Sequence, residues 1–590
     1  MENKKRKWDL TKFCKNQEDF DEKIKQIEQQ YPQLANFKGR LNDKKLLKEY
    51  LTLDDKMLDM VDRVAEWAHL HIMADVTDAA QRNNMQKVES LFARIGECQS
   101  YVMPELLSQS DQFFDDVIAD DNFVAWRHSF RVLKKQKAHI LTTEQEQLLS
   151  TLSPIMSNFS QIFQSCMYSD VQFGEILDEN GNKHELTKTN YRNFLQNTDR
   201  VLRKNANERY YQKHEQYFNT LATNLVAQVQ RNVIMSKIYK YNSVLEQTLV
   251  GNNMDVSFYQ NFVKRTQPLF KLNKEYNNLK IELIKKQYNL NELYEYDLGL
   301  PVGKKDDKIS FEQGFEIVKK VLKVLGDEYL SVVQRAVDEN WIDVYPDKFK
   351  QSGGFTSGMY KISPVILMNW ENQLDDVYTF IHELGHAVRQ VYCDNNNYRE
   401  GAEAPMFIEE TFSTVNQNLM YRYLVDNEKD KDKKIYYLCE YLDSLFSYGV
   451  GSIQDSMCED EIYRRVAQEM PADKDTILNF ANDVYKQTQA DNILGRHIPG
   501  RTITMFHYYN LSYYVWQYSF GVINSNMIVN KIQQDPKFVE KYLNFVKAGS
   551  MYPLDMLKIV DIDYSNDTPF KEMEKELTLR INQLKELINK

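Results

Sequence analysis

The stretch that decides the fold is Asp375-Asp376-Val377-Tyr378-Thr379-Phe380-Ile381-His382-Glu383-Leu384-Gly385-His386-Ala387-Val388. Val377, Phe380, Ile381, Leu384 and Val388 form a broad apolar stripe at helical spacing, which predicts a buried helix. Asp375 and Asp376 stand where anionic side chains favour a helix start. Inside the stripe lies His-Glu-x-x-His. Residues four apart share a helix face, so His382 and His386 can offer two imidazoles to one ion. Glu383 projects about 100° away, within reach of a water on that ion rather than of the ion itself. With 10 His in 590 residues the pattern is seldom met by chance. The competing reading is a pair of core histidines bonded to backbone. Gly385 inside the helix costs about 1 kcal/mol against Ala, so the sequence predicts that something passes close to it.

A catalytic zinc takes three protein ligands and keeps a position open for water. A third histidine at the spacing His-x-x-Gly-x-x-His is absent, because Arg389 and Tyr392 occupy the two test positions. The third ligand is then a carboxylate from a second helix. Met406–Val415 reads as helical, with Pro405 near its start, and Glu410 lies 24 positions beyond His386. Glu409, Glu403 and Glu400 compete with it. Ser413 and Thr414, one turn on, are placed to orient the Glu410 carboxylate.

Composition agrees with a helical enzyme. Gly is 20 and Pro 13 of 590 residues, about half their ordinary usage, which excludes an all-β fold and predicts long helices. The formal charge is −11, and no basic stripe marks a nucleic-acid partner. Lys4-Lys5-Arg6-Lys7 reads as a solvated tail with no apolar stretch after it, hence no signal peptide. Nowhere do about 18 apolar residues run together, so no membrane span is expected. Six cysteines without a CxxC read as reduced and structural, in a cytoplasmic chain.

Along the chain, the first 165 residues read as amphipathic helices, with Leu46, Leu47, Tyr50, Leu51, Leu53, Met57 and Met60 on one face. Val171–Leu177 and Lys183–Thr187, joined through Asn180-Gly181, predict a β-hairpin. Residues 191–239 read as helical, Asp297–Gly303 as a loop and Phe311–Asn340 as a helix. Gln351–Gly358 carries three glycines without the Gly-Lys-Ser/Thr of a phosphate loop; it reads as a turn leading into an edge strand, Val365–Met368. An extended peptide can add to such an edge through main-chain hydrogen bonds. The division read from the sequence is an N-terminal helical region, residues 1–195, and a catalytic region, residues 196–590. His507–Gly521 taken alone is an aromatic core helix.

These residues together resemble the oligoendopeptidase F family, relatives of thimet oligopeptidase. Phe407-Ile408-Glu409-Glu410-Thr411-Phe412-Ser413-Thr414-Val415-Asn416 matches the family's run around its third zinc ligand and puts Glu410 at the ligand position. The likeness extends to Trp341–Pro346, to Tyr296-Asp297 before Pro301 and to Leu245-Glu246 before Gly251-Asn252-Asn253, over roughly residues 170 to 565. It implies a mostly α, zincin-like helical metallopeptidase of the gluzincin kind. The implied body is prolate and two-part, with a deep central channel and a small β-sheet beside the active site. It implies one zinc per chain, and hydrolysis of short unstructured peptides by a zinc-bound water that Glu383 activates.

The same likeness implies His507 and Tyr514 as donors to substrate and oxyanion, with Tyr513 and Tyr518 as alternatives. It sets the Gly353-Gly354-Phe355 turn against the substrate. The family's Pro before this His is Phe506 here, and His497-Ile498-Pro499 is the alternative position for it. Gly495 and Gly500 would let that loop move as a gate. Phe355-Thr356-Ser357 and Ser363 also depart from the family, which bears on subsite preference. Two other readings compete with this one. In several exopeptidase zincins the third Glu comes 19 positions after the second His, where this chain has Pro405. An inactive peptide-binding protein with a structural metal would need no base, yet Glu383 is intact.

Overall fold

Residue 44 opens a helix that runs unbroken for 31 residues, Lys44–Ala74. Asp43 caps it by accepting from the Lys45 and Leu46 amides. Leu47, Tyr50, Met57, Val61 and Val64 form its buried face, as the spacing predicts, with Leu46, Leu51, Leu53 and Met60 half-buried beside them. This computed structural model describes residues 6–589, apart from 157, 306–307, 403–404 and 498–499. Helices make up most of it, and the described strands are five short ones in two sheets. No helix among the described residues is long and apolar enough to cross a membrane.

The chain divides into two units, each assembled from three stretches. One comprises Met1–Ile140, Asp306–Met420 and Met527–Asp563; the other comprises Leu141–Lys305, Tyr421–Asn526 and Tyr564–Lys590. In the second unit, β1 (Glu175–Leu177) and β2 (Lys183–Glu185) form the hairpin expected from Asn180-Gly181, with Gly181 at φ +79°. Its strands are shorter than the apolar pattern indicated, because Val171 and Phe173 pack with Leu202 and Ala206 instead of pairing. The helical stretch from Tyr191 breaks into Tyr191–Leu195, Arg200–Glu215 and Phe218–Ile238.

The sheet that matters for the site lies in the first unit. β3 (Ile342–Asp343), β4 (Phe355–Ser357) and β5 (Val365–Leu367) are ordered β3-β5-β4. β3 runs parallel to β5, with Ile342 opposite Ile366. β4 runs antiparallel to it, with Thr356 opposite Ile366. Val365–Met368, expected as an edge strand, is therefore central: Val365, Ile366 and Leu367 are fully buried. The edges are β3 and β4, and β4 lies inside the run read as a turn. β4 pairs with β5 across the short connection between Ser357 and Val365, and β3 covers its other side from farther back in the chain, with Ile342 opposite Ile366.

The helix expected over Phe311–Asn340 is two, Phe311–Leu322 and Asp327–Asp338. Gly326, at φ +92°, breaks it in a conformation an L side chain rarely adopts. Before the decisive motif, Gln373 and Asp376 cap each other reciprocally, and the helix they start runs Leu374–Asn396. Its stripe is fully buried at Val377, Phe380, Ile381, Leu384 and Val388. Phe380 packs into a cluster with Phe311 and Trp370. We call it the motif helix, and Met406–Asn427, which follows Pro405, the glutamate helix.

Candidate metal centre

The motif helix and the glutamate helix meet at a glycine. A Cβ on Gly385 would stand 2.6 Å from the Ser413 Cα and 2.9 Å from the Phe412 carbonyl oxygen. The expected close neighbour of Gly385 is thus the second helix itself, and the approach carries Glu410 to the two histidines. Glu410 Oε2 lies 3.6 Å from His382 Nε2 and 4.0 Å from His386 Nε2. One ligand atom from each of the three residues falls within 4.8 Å of the others. Of the competing carboxylates, Glu409 stands 3.8 Å from His386 Nδ1. Glu400 is engaged with Ser129 at 2.5 Å, and Glu403 lies outside the described residues.

Neighbours fix each member. His382 Nδ1 lies 3.0 Å from Gln417 Oε1; an amide oxygen only accepts, so Nδ1 carries a proton and Nε2 is the ring atom turned towards Glu410. The Ser413 hydroxyl donates to Glu410 Oε2 at 3.2 Å, and the Thr414 hydroxyl donates to the Glu410 carbonyl. Glu383 is 6% exposed, and the Thr356 hydroxyl of β4 lies 2.8 Å from its Oε2. Neither Thr356 nor Gln417 carries a local signal; each meets its partner only through the packing of β4 and of the glutamate helix on the motif helix.

The electrostatics call for a cation. Burial pulls the His386 imidazole down, but the carboxylates of Glu409, Glu410 and Glu383 outweigh it and raise its pKa to about 9. Two imidazoles and one carboxylate are the donor set of a catalytic divalent-metal site, so the residues present fit such an ion. They line a cavity of about 760 Å³ together with Gly354, Phe355, Thr356, Ser357 and Arg389. Gly354 is there for closeness: a Cβ would meet Thr379 at 2.6 Å. Gly353 is at φ +90°.

In the second unit, the aromatic run does not form one helix. It folds as Phe506–Asn510, a left-handed turn with Tyr513 at φ +54°, and a helix from Trp516. His507 stacks on Tyr514 with ring centres 5.8 Å apart, and its Nε2 is 3.2 Å from the Tyr518 hydroxyl. Burial pushes the His507 imidazole below its usual pKa. Tyr513 is 4% exposed; its amide donates to Glu459 at 2.7 Å and its hydroxyl to Asp460 at 3.0 Å. Burial raises Glu459 to about 8, with Asp460 and Asp455 adding to it against the Tyr513 amide. His497 stacks on Tyr211 at 4.1 Å, with Glu215 3.7 Å away. Ile498 and Pro499 lie outside the described residues. Gly500 lies so close to the Phe218 ring that a Cβ would overlap it.

A mostly helical chain in which His-Glu-x-x-His meets a glutamate of the next helix defines a metallopeptidase. Residues 193–575 match peptidase family M3, and residues 105–173 match the family described as oligopeptidase F. The chain belongs to peptidase family M3. Oligopeptidase PepF of Bacillus subtilis is 28% identical over 99% of this chain and 87% of its own length. An oligoendopeptidase F homolog of Borreliella burgdorferi is 27% identical over 99% and 98%. The fold is shared with a crystal structure from Chlamydophila abortus, at a TM-score of 0.85 and 24% identity over 99% of this chain and 98% of that one. It is shared too with oligoendopeptidase-F from Enterococcus faecium, at 0.74 and 24% over 97% and 99%.

Proposed function

We propose that this metallopeptidase is a zinc-dependent endopeptidase of short unstructured peptides, with His382, His386 and Glu410 holding one zinc per chain. The observation that carries the reading is the set of three ligand atoms within 4.8 Å, with Glu383 lining the same cavity. Bound there, zinc would lower the pKa of water towards about 7 and polarise a peptide carbonyl. Glu383 accepts the proton of the attacking water and returns it to the nitrogen of the leaving amine. With Oε2 held by Thr356, Oε1 is the oxygen we assign to that proton.

The peptide main chain pairs with the outer edge of β4, beside Gly353, Gly354 and Phe355, which asks little of its side chains. We give His507 and Tyr514 the roles of donors to substrate and oxyanion, on the family resemblance and on their stacking with each other. Burial, which lowers the His507 pKa, favours the uncharged ring as the donor. Tyr518 orients His507, and Tyr513 serves by anchoring the turn. A cytoplasmic site of action completes the reading, supported by six cysteines that are all free.

The test is cleavage of an internally quenched peptide by zinc-loaded wild type and Glu383→Gln. The variant keeps its zinc and loses about 10²- to 10⁴-fold in kcat, the range of a general base. An active Glu383→Gln would remove Glu383 from the role.

A further inference from the structure

Arg389 lies three residues beyond His386, on the same face of the motif helix, and lines the same cavity. It is 2% exposed, and neither its Nε nor its Nη2 has a hydrogen-bond partner. Its guanidinium sits 5.1 Å from the centre of the Phe412 ring, an apolar support that leaves the donors unmatched. Its polar neighbour along the helix is the Cys393 thiol, a weak acceptor that itself donates to the Ala548 carbonyl. Asp394 of the same helix feels the Arg389 charge but makes its hydrogen bonds elsewhere, to the Lys361 amide at 3.0 Å and to Gln390.

A buried guanidinium without an anion is expensive to keep, and most buried arginines solve this with a carboxylate. The two atoms left open in Arg389 are the adjacent pair along one edge of the guanidinium, the edge that takes a carboxylate side-on. The chain uses that edge elsewhere: Arg501 meets Asp455 through Nε at 3.0 Å and Nη2 at 2.7 Å, and Arg464 meets Glu461 through the same two atoms. Arg389 has the fork and lacks the partner, at the wall of the cavity in which peptides are cut.

We propose that Arg389 is a substrate-binding residue whose open edge receives the C-terminal carboxylate of the peptide. This rests on the peptidase reading of the same cavity. Side chains three apart on a helix lie about 5–6 Å from each other at Cβ, and an extended residue advances about 3.3 Å. A carboxylate on Arg389 therefore ends the peptide about two residues past the scissile carbonyl. The chain then favours cuts that release short C-terminal pieces.

The experiment is calorimetry on the zinc-loaded Glu383→Gln chain with one N-acetylated tetrapeptide in three forms: free acid, C-terminal amide, and an amide with Glu as the last residue. The free acid binds about ten- to a hundredfold more tightly than the plain amide, the range of a charge-assisted pair. Arg389→Gln brings the acid down to the amide and leaves the amide unchanged, and Arg389→Lys recovers part of the difference. Equal affinities in the parent, no binding of either, or equal loss of both in Arg389→Gln would overturn the proposal. So would tighter binding of the Glu-terminated amide than of the free acid, which would assign Arg389 to a side chain. If Arg389→Gln does not fold, the parent's acid–amide contrast still decides. Failure of the peptidase reading looks different: the wild type turns over none of the three, while the affinity contrast persists.

Discussion

Gly385 of the motif helix and Ser413 of the glutamate helix touch backbone to backbone, leaving room at residue 385 for a hydrogen and nothing larger. Glu410 lies one turn before Ser413, so this contact sets how far its carboxylate stands from the two imidazoles. A glycine that costs helix propensity thus sets the spacing between Glu410 and the paired imidazoles.

Gly385→Ala tests that dependence. In a helix with space around it, Ala would stabilise by about 1 kcal/mol. Here the methyl must drive the helices apart, so the sign reverses to a loss of about 1–3 kcal/mol. Zinc affinity falls with it, by about tenfold or more. Thermal unfolding and competition with a chromophoric chelator measure the two effects.

Gln417→Leu removes the oxygen that holds the His382 Nδ1 proton. Partners of this kind contribute about 10- to 100-fold in metal affinity. The expected result is weaker zinc binding in that range with kcat of the fully loaded chain little changed, read by zinc titration of activity.

Thr356→Val keeps the shape of the β4 residue and removes its hydroxyl from Glu383. The carboxylate loses its orienting partner, while no ligand is touched. Steady-state kinetics should show kcat down about tenfold, KM nearly unchanged and zinc content intact.

Glu459 gives a pH signature in the second unit. Its carboxyl is buried, held protonated in the fold until about pH 8, and neighbours Asp460 and Asp455 of its own helix; Tyr463 of that helix and Tyr259 pack with Tyr513 beside it. Unfolded, it ionises in the ordinary carboxylate range near 4.3. Between those values the folded chain binds the extra proton, so Glu459 lowers stability progressively as pH rises from about 4 to 8 and no further above it. Glu459→Gln keeps an oxygen for the Tyr513 amide and has no proton to lose. Urea unfolding at pH 5 to 9 should show the variant gaining on the wild type across that window. An unchanging difference would show that Glu459 does not titrate there.

What was legible in the sequence was what depends on spacing along one helix. The two histidines and the buried stripe are placed by helical periodicity, whereas Glu410 stands out from Glu409, Glu403 and Glu400 only through the family resemblance; the structure brings the three donors together. The hairpin at Asn180-Gly181 is legible for the same reason, since its turn is local. Thr356 reaches Glu383 across 27 positions and Gln417 reaches His382 across 35, by packing that no local pattern encodes. β4 is not legible in the sequence because three glycines nearby mark turns, whereas its strand character comes from pairing with β5. Arg389 stands where the longer zinc motif would carry its glycine, and the open edge of its guanidinium is a property of its surroundings alone.

The central claim is that two imidazoles and the Glu410 carboxylate share one zinc, and metal analysis of the purified chain tests it most directly. Elemental analysis with X-ray absorption should find one zinc per chain with two nitrogen neighbours and carboxylate oxygen, and should find it depleted in Glu410→Gln. A chain that purifies without zinc and does not take it up, or a Glu410→Gln variant that binds it as tightly as the wild type, would contradict the account.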